Sequence, residues 1–288
     1  MTLCVLGANY GTISPMNPIN SFRKRYRYSL ILLRQLVITD FKLRYQGSAL
    51  GYLWSLVRPL ALFGILLVVF GFILKIGSTI PHYPIYLLMG IVLWNFFVEA
   101  TNGGLQSIVD RGDLIRKLNF PKYIIVVSGT ISALINLGIA LLVVFIFMLF
   151  SGIELRPTAL LFPVLILELY GFALALAFFL SALYVKYRDI NYIWELFLQG
   201  AFYATPILYP MAIVIDKSPL LAKLMLLNPM AQIIQDARFI LVSPETVTLS
   251  TLNASWLAIL TPMLIVTGLA FSAVQYFRKS SKYFAEDV

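Results

Sequence analysis

Five stretches of this chain are apolar for about 20 residues each, the length that carries a helix across a bilayer's hydrocarbon core. They cover residues 53–76, 83–101, 123–150, 159–185 and 256–277. A sixth stretch, 192–209, is shorter and ends in Thr205-Pro206-Ile207-Leu208-Tyr209-Pro210. With 60% of its 288 residues hydrophobic and only 12% charged, the chain has more apolar surface than a soluble fold of that size can bury. Lipid also forbids open strand edges, so every span reads as a helix. The expected fold is an all-α integral membrane protein with six transmembrane helices.

Charge sets the orientation. The net charge of +9 raises the possibility of a nucleic-acid partner, but the basic residues flank apolar runs and form no separate domain. Of the 22 Lys and Arg, all but Lys75, Arg156, Lys217, Lys223 and Arg238 fall on one side of the six-span threading. Basic residues gather on cytoplasmic loops, which puts both termini in the cytoplasm and removes the need for nucleic acid. Residues 1–28 read as a cytoplasmic tail rather than a signal peptide, because the cluster Arg23-Lys24-Arg25 follows the short apolar patch instead of preceding it. The single cysteine, Cys4, excludes an internal disulfide and a cysteine metal cluster.

Three segments do not span. In residues 29–46, taken as a helix, Leu30, Leu33, Val37 and Phe41 share one arc, with Gln35, Thr39, Lys42 and Gln46 opposite. That pattern describes an amphipathic helix lying in the headgroup plane, and Arg44 must snorkel out of its apolar side. About residues 107–119, a charged loop joins spans two and three: Asp110, Arg111, Asp113, Leu114, Ile115, Arg116, Lys117, Leu118 and Asn119. Acids at its start and bases at its end suit a short helix dipole, and Pro121 stops it. Exposed Leu114, Ile115 and Leu118 would then dock on a partner, although a plain basic loop fits the same spacing. The third segment, about 211–243, holds apolar pieces too short to span and split by Asn228-Pro229, the pattern of re-entrant helices at the outer face. The spanning domain then covers 47–278, with a short tail at 279–288.

Chemistry is sparse. No phosphate loop, dinucleotide fingerprint or zinc-protease helix is present, and His82 is the only histidine, so no metal site is expected. Glu99, Glu168 and Glu195 lie in or beside spans, where carboxylates are costly; Glu168 is the deepest. Aromatics run the whole length of span five: Tyr192, Trp194, Phe197, Phe202, Tyr203 and Tyr209. Such rings either stack on sugars or serve as interfacial belt and helix packing.

The residues carry a family resemblance. Asp40-Phe41-Lys42-Leu43-Arg44-Tyr45 leading into Leu50-Gly51-Tyr52-Leu53-Trp54-Ser55-Leu56-Val57-Arg58-Pro59 resembles the start of the permease subunit of ABC type-2 polysaccharide exporters, which move O-antigen, capsular polysaccharide or teichoic acid. Residues 114–122, Tyr187-Arg188-Asp189-Ile190 through Tyr209, and Leu227-Asn228-Pro229-Met230 are similar to that family in the same order. The resemblance covers about residues 30 to 280 and leaves the N-terminal tail unassigned. It implies a homodimeric pore in the bacterial cytoplasmic membrane, two separate ATPase subunits that bind ATP and Mg, and a polymer on an undecaprenyl-pyrophosphate carrier. The chain would hold no cofactor and would not itself be an enzyme. In that frame residues 110–119 are a coupling helix, 211–243 are gate helices and 29–46 is an interface helix. Lys42, Arg44 and Arg58 are then expected to attract the pyrophosphate. A related permease for drugs or small lipids shares the architecture. A membrane enzyme acting on polyprenyl lipids would need clustered carboxylates, and a proton-driven carrier would need a partner for Glu168.

Overall fold

The computed structural model describes residues 18–45, 51–117, 120–154, 156–252 and 255–287, and the described residues are almost entirely helical. Helix α1 (Pro18–Tyr45) precedes α2 (Trp54–Leu66), whose last turns, Leu67–Ile73, widen to a π-helix. Then follow α3 (Tyr83–Asp110), the short α4 (Gly112–Lys117), α5 (Tyr123–Phe150), α6 (Phe162–Lys186) and α7 (Ile190–Ala204). Three short helices, α8 (Met211–Lys217), α9 (Pro219–Leu226) and α10 (Pro229–Leu241), lead to α11 (Trp256–Ser280) and the one-turn α12 (Phe284–Asp287). Five helices are long and apolar enough to cross a membrane: α2 with its π turns, α3, α5, α6 with its leading turn, and α11.

The sixth expected span needs restating. Helix α7 has 15 residues, so it rises only about 22 Å against a hydrocarbon core of about 30 Å. Proline sterics end it: Pro206 forces Thr205 out of the helical region, to φ −91 and ψ 136. The chain returns to helix only at Met211, after Pro210.

Helix α3 is the hub, packing against α5 and α6 at close range. A Cβ at Gly104 would lie 2.3 Å from the Cβ of Ala177, so the α3–α6 crossing requires glycine there. Small residues at crossings are how helices associate in lipid, where burying apolar surface gains nothing.

Boundaries differ from the sequence reading in three places. Helix α1 starts at Pro18, inside the segment read as a tail. Helix α3 runs on to Asp110, absorbing the first part of the charged loop; Arg111, at φ −118 and ψ 28, breaks it before Gly112. The outer segment splits three ways, because Ser218-Pro219 repeats the logic of Asn228-Pro229. In each pair a polar cap accepts from the backbone, Ser218 from Leu221 N at 3.3 Å and Asn228 from Met230 N at 3.0 Å. A proline follows at the first helical position, where its missing N–H costs nothing.

Candidate functional site

Three polar arrangements stand out, one at each end of the bundle and one within it. The first surrounds α4. Arg111 forms an ion pair with Asp40 of α1 and donates to Ser128 Oγ at 3.0 Å and Ile125 O at 3.4 Å. Ile115 is buried, packed in one cluster with Ile108, Phe120, Ile125, Phe277 and Phe284. The sequence reading had Ile115 exposed toward a partner; its place on a helix of six residues turns it into the bundle instead. Asp113, Arg116 and Lys117 face outward, Leu114 is partly buried, and Leu118 and Asn119 lie outside the described residues. Lys122 donates to Ser281 O and lies 5.7 Å from the Phe284 ring centre, tying this loop to the C-terminal segment. Burial lowers the pKa of its ammonium, and Glu286 pulls it back up.

Helix α1 docks on the same cluster through Leu32 and Leu36. Leu33 and Val37 are half-buried, but Leu30 points outward, so the inward stripe is rotated from the arc read in the sequence. Asp40 explains the rotation: its pairing with Arg111 fixes which side of α1 faces the bundle. Lys42 is exposed, and the side chain of Arg44 lies outside the described residues.

The second arrangement centres on Arg238 of α10, which is fully buried. Its Nε donates to Tyr86 O at 2.9 Å, Nη1 to Pro206 O at 2.6 Å and Nη2 to Ile207 O at 2.8 Å. The guanidinium also lies 3.5 Å from the ring centre of Tyr86. A carbonyl freed by the break after α7 has no helical donor, and a buried unpaired carbonyl is costly. Arg238 supplies two of those carbonyls and pins the break to the start of α3. Tyr83 adds a hydrogen bond to Leu208 O at 3.0 Å. A Cβ at Gly90 would come within 2.4 Å of the Arg238 Nη2, so that glycine makes room for the clamp. The sequence reading counted Arg238 only as one of five outer bases. The signal was there: an arginine inside an apolar segment on the side where basic residues are rare.

Close by, Glu168 of α6 interacts with Gln232 and Asp236 of α10. Gln232 Nε2 in turn donates to Asp236 Oδ2. Glu168 therefore has these polar neighbours on α10.

The third arrangement is a cleft of about 910 Å³ between α2 and α3, with α5 behind it. Arg58 lines it, together with Trp54 and Ser55 of α2 and a polar face of α3. Asn136 of α5 donates to Glu99 Oε1 at 2.6 Å, and Gln106 donates to Asn191 Oδ1 of α7 at 3.0 Å. Of the expected headgroup set, Arg58 lines this cleft.

The span-five aromatics divide. Trp194 is buried, donates to Thr101 Oγ1 at 3.3 Å and stacks on Phe197 at 5.1 Å. Phe202 meets Trp94 edge-on at 5.8 Å, and Tyr209 donates to Tyr203 O at 3.1 Å. Trp194 and Phe202 thus anchor α7 on α3. Tyr192, Phe197 and Tyr203 instead present their rings outward, 72%, 56% and 67% exposed. Glu195 is also on the exposed side. Among the described residues no three His, Cys, Asp or Glu side chains gather as a metal site would need.

Comparison with known proteins bears on these arrangements. A family model described as ABC-2 type transporter matches residues 31–242. The chain is 33% identical over 216 residues to "O-antigen export system permease protein RfbA" of Myxococcus xanthus, covering 75% of this chain and 81% of that protein. A protein of the same name from Klebsiella pneumoniae is 26% identical over 271 residues, spanning 92% of this chain and 99% of its own length. "Polysialic acid transport protein KpsM" of Escherichia coli is 27% identical over a shorter stretch of 86 residues. The matched region runs from α1 through the outer short helices and takes in Arg111, Arg238 and the cleft between α2 and α3, and the chain belongs to the ABC-2 type transporter family as a multi-pass membrane permease.

Proposed function

We propose that this chain is the membrane-spanning half of an ATP-driven exporter that carries a lipid-linked polysaccharide of the O-antigen class across the cytoplasmic membrane. The observation that carries this reading is similarity along nearly the whole of both chains to a permease named for O-antigen export. Two copies would form the path, with their termini in the cytoplasm, and two separate ATPase subunits would supply ATP and Mg. The undecaprenyl-pyrophosphate carrier would be drawn to the basic residues Lys42, Arg44 and Arg58 near the headgroups.

The arrangement around α4 supports a coupling role. Asp113, Arg116 and Lys117 are outward and charged, suited to a partner's polar groove. Ile115 and Arg111 anchor the same short helix to α1, α3 and α11. A push on α4 would therefore pass to several spans together rather than bend one loop. Repeated closing of the ATPase pair would then advance a long polymer in steps.

The test is genetic and biochemical. Deleting the gene should abolish surface polysaccharide and a plasmid copy should restore it, while the purified chain should carry an ATPase with it. The double substitution Arg116→Glu and Lys117→Glu should release that ATPase. Surface polysaccharide unchanged by the deletion would refute the export reading, and an ATPase still bound to the doubly substituted chain would refute the coupling role.

A further inference from the structure

Polar side chains recur along one face of α3. Asn95, Glu99, Asn102 and Gln106 follow one another at intervals of four, three and four residues, which stacks them along one side of the helix. Polar groups within a span are costly and mark pathways by default. This face turns toward the cleft between α2 and α3, where Asn136 completes the far wall and Arg58, Ser55 and Trp54 complete the near one.

Part of that chemistry is used internally. Asn136 and Glu99 bond to each other, and Gln106 reaches Asn191. Two groups are left over: the amide oxygens of Asn102 and Asn136 are buried with no hydrogen-bond partner among the described residues. Orphaned acceptors of this kind in a folded interior call for an explanation. Both belong to residues that line the same cleft.

The lining has a recognisable chemistry. Amides and a carboxylate offer donors and acceptors side by side, the arrangement that vicinal hydroxyls match. Trp54, 48% exposed, offers an indole face to the apolar side of a pyranose ring. Arg58 offers a planar guanidinium to a phosphate. A volume of about 910 Å³ is in the range that encloses a drug-sized ligand, which corresponds to about two or three sugar residues. Glu99, Asn102 and Gln106 occupy the half of α3 nearer α4, with Asn95 at its middle, so the cleft extends toward the end of the molecule where the ATPase reading places the motor.

We propose that this cleft is a saccharide-binding site in each protomer, which takes the sugars next to the carrier phosphate before they enter the path. The Asn102 and Asn136 side chains turn into the cleft as it fills, so that their amide oxygens accept from sugar hydroxyls, Trp54 stacks on a ring, and Arg58 holds the phosphate. The site rests on the polysaccharide-export reading and specifies where the substrate is first held.

The experiment uses the full chain with its ATPase, in membrane vesicles from cells that make the polymer. A photoreactive p-benzoylphenylalanine replaces Leu62, which lines the cleft, or Phe271 of α11, which is 68% exposed and lies away from it. After illumination, a carbohydrate-stained adduct is expected on the Leu62 variant, about fivefold or more above the Phe271 variant. Asn102→Leu should lower both that adduct and polymer export about tenfold, the scale of one lost hydrogen bond to substrate. Its melting temperature in detergent should stay level or rise, because an apolar side chain removes an unsatisfied group from the interior. Lost export with a fall in melting temperature would assign Asn102 a structural role and overturn the site. Equal adducts at both positions, or export untouched by Asn102→Leu, would overturn it as well. A glycan adduct at Phe271 alone, with export that depends on the chain, sinks the site and spares the export reading. No adduct at either position, with surface polymer indifferent to deletion of the chain, sinks both.

Discussion

Helices α2 and α3 are neighbours with opposite surroundings. In α3, 78% of the membrane-length window is buried within the protomer, and in α2 only 6%, although α2 is the more apolar of the two. In water that ordering would be reversed. In lipid, apolar side chains are already solvated, so hydropathy says nothing about which helix takes the centre. The centre goes to the helix with glycines for close approach and polar side chains that need partners, and α3 has both. Helix α2, with only Phe63 buried, is left as a surface facing lipid or another protein.

The comparison breaks most severely at Gly104. Gly104→Leu drives a large side chain into Ala177, where even a Cβ would be 2.3 Å away. No folded species should survive size-exclusion chromatography in mild detergent; a normal elution peak would show that the α3–α6 crossing can open. Next is the outer clamp. Arg238→Met leaves the carbonyls of Tyr86, Pro206 and Ile207 without their donor and should cost about 3–5 kcal/mol, read as a large fall in melting temperature. Arg238→Lys should recover only part of it, because an ammonium cannot reproduce the three-way fork; full recovery would mean that charge alone matters.

A smaller effect is expected where α1 joins α3. The Asp40–Arg111 pair is about one-fifth exposed, so a double-mutant cycle with Asp40→Asn and Arg111→Gln should give a coupling of about 1 kcal/mol or less. Zero coupling would leave Leu32 and Leu36 as the sole reason for the orientation of α1. The smallest effect belongs to α2. Phe72→Ala, at a side chain 70% exposed, should change stability by about 0.5 kcal/mol or less in monomeric detergent complexes. A loss of the size seen in a core would mean that α2 is covered, and the contrast with α3 would collapse.

Much of the fold was readable from the residues. Apolar runs located the five long helices to within a turn at most ends, since run length against bilayer thickness is a one-dimensional constraint. Prolines likewise announced the breaks at Thr205-Pro206 and Asn228-Pro229. The candidate site was less legible. Asn95, Glu99, Asn102 and Gln106 were spaced for detection, yet their meaning depends on α2 and α5 standing opposite them. Ile115 looked exposed because a six-residue helix has no periodicity long enough to tell its two sides apart. The orientation of α1 turned on Asp40, whose partner is 71 residues away.

By itself the sequence determined that the chain lives in lipid, where most of its long helices begin and end, and which short segments cannot span. Those outcomes follow from local hydropathy, capping and proline sterics. Only the tertiary structure decided that α3 is the hub, that Arg238 closes the broken end of α7, and that a polar cleft lies between α2 and α3. Each of these depends on hydrogen bonds and close approaches between residues far apart in the chain. In a membrane those contacts, rather than hydrophobic burial, decide which helix meets which.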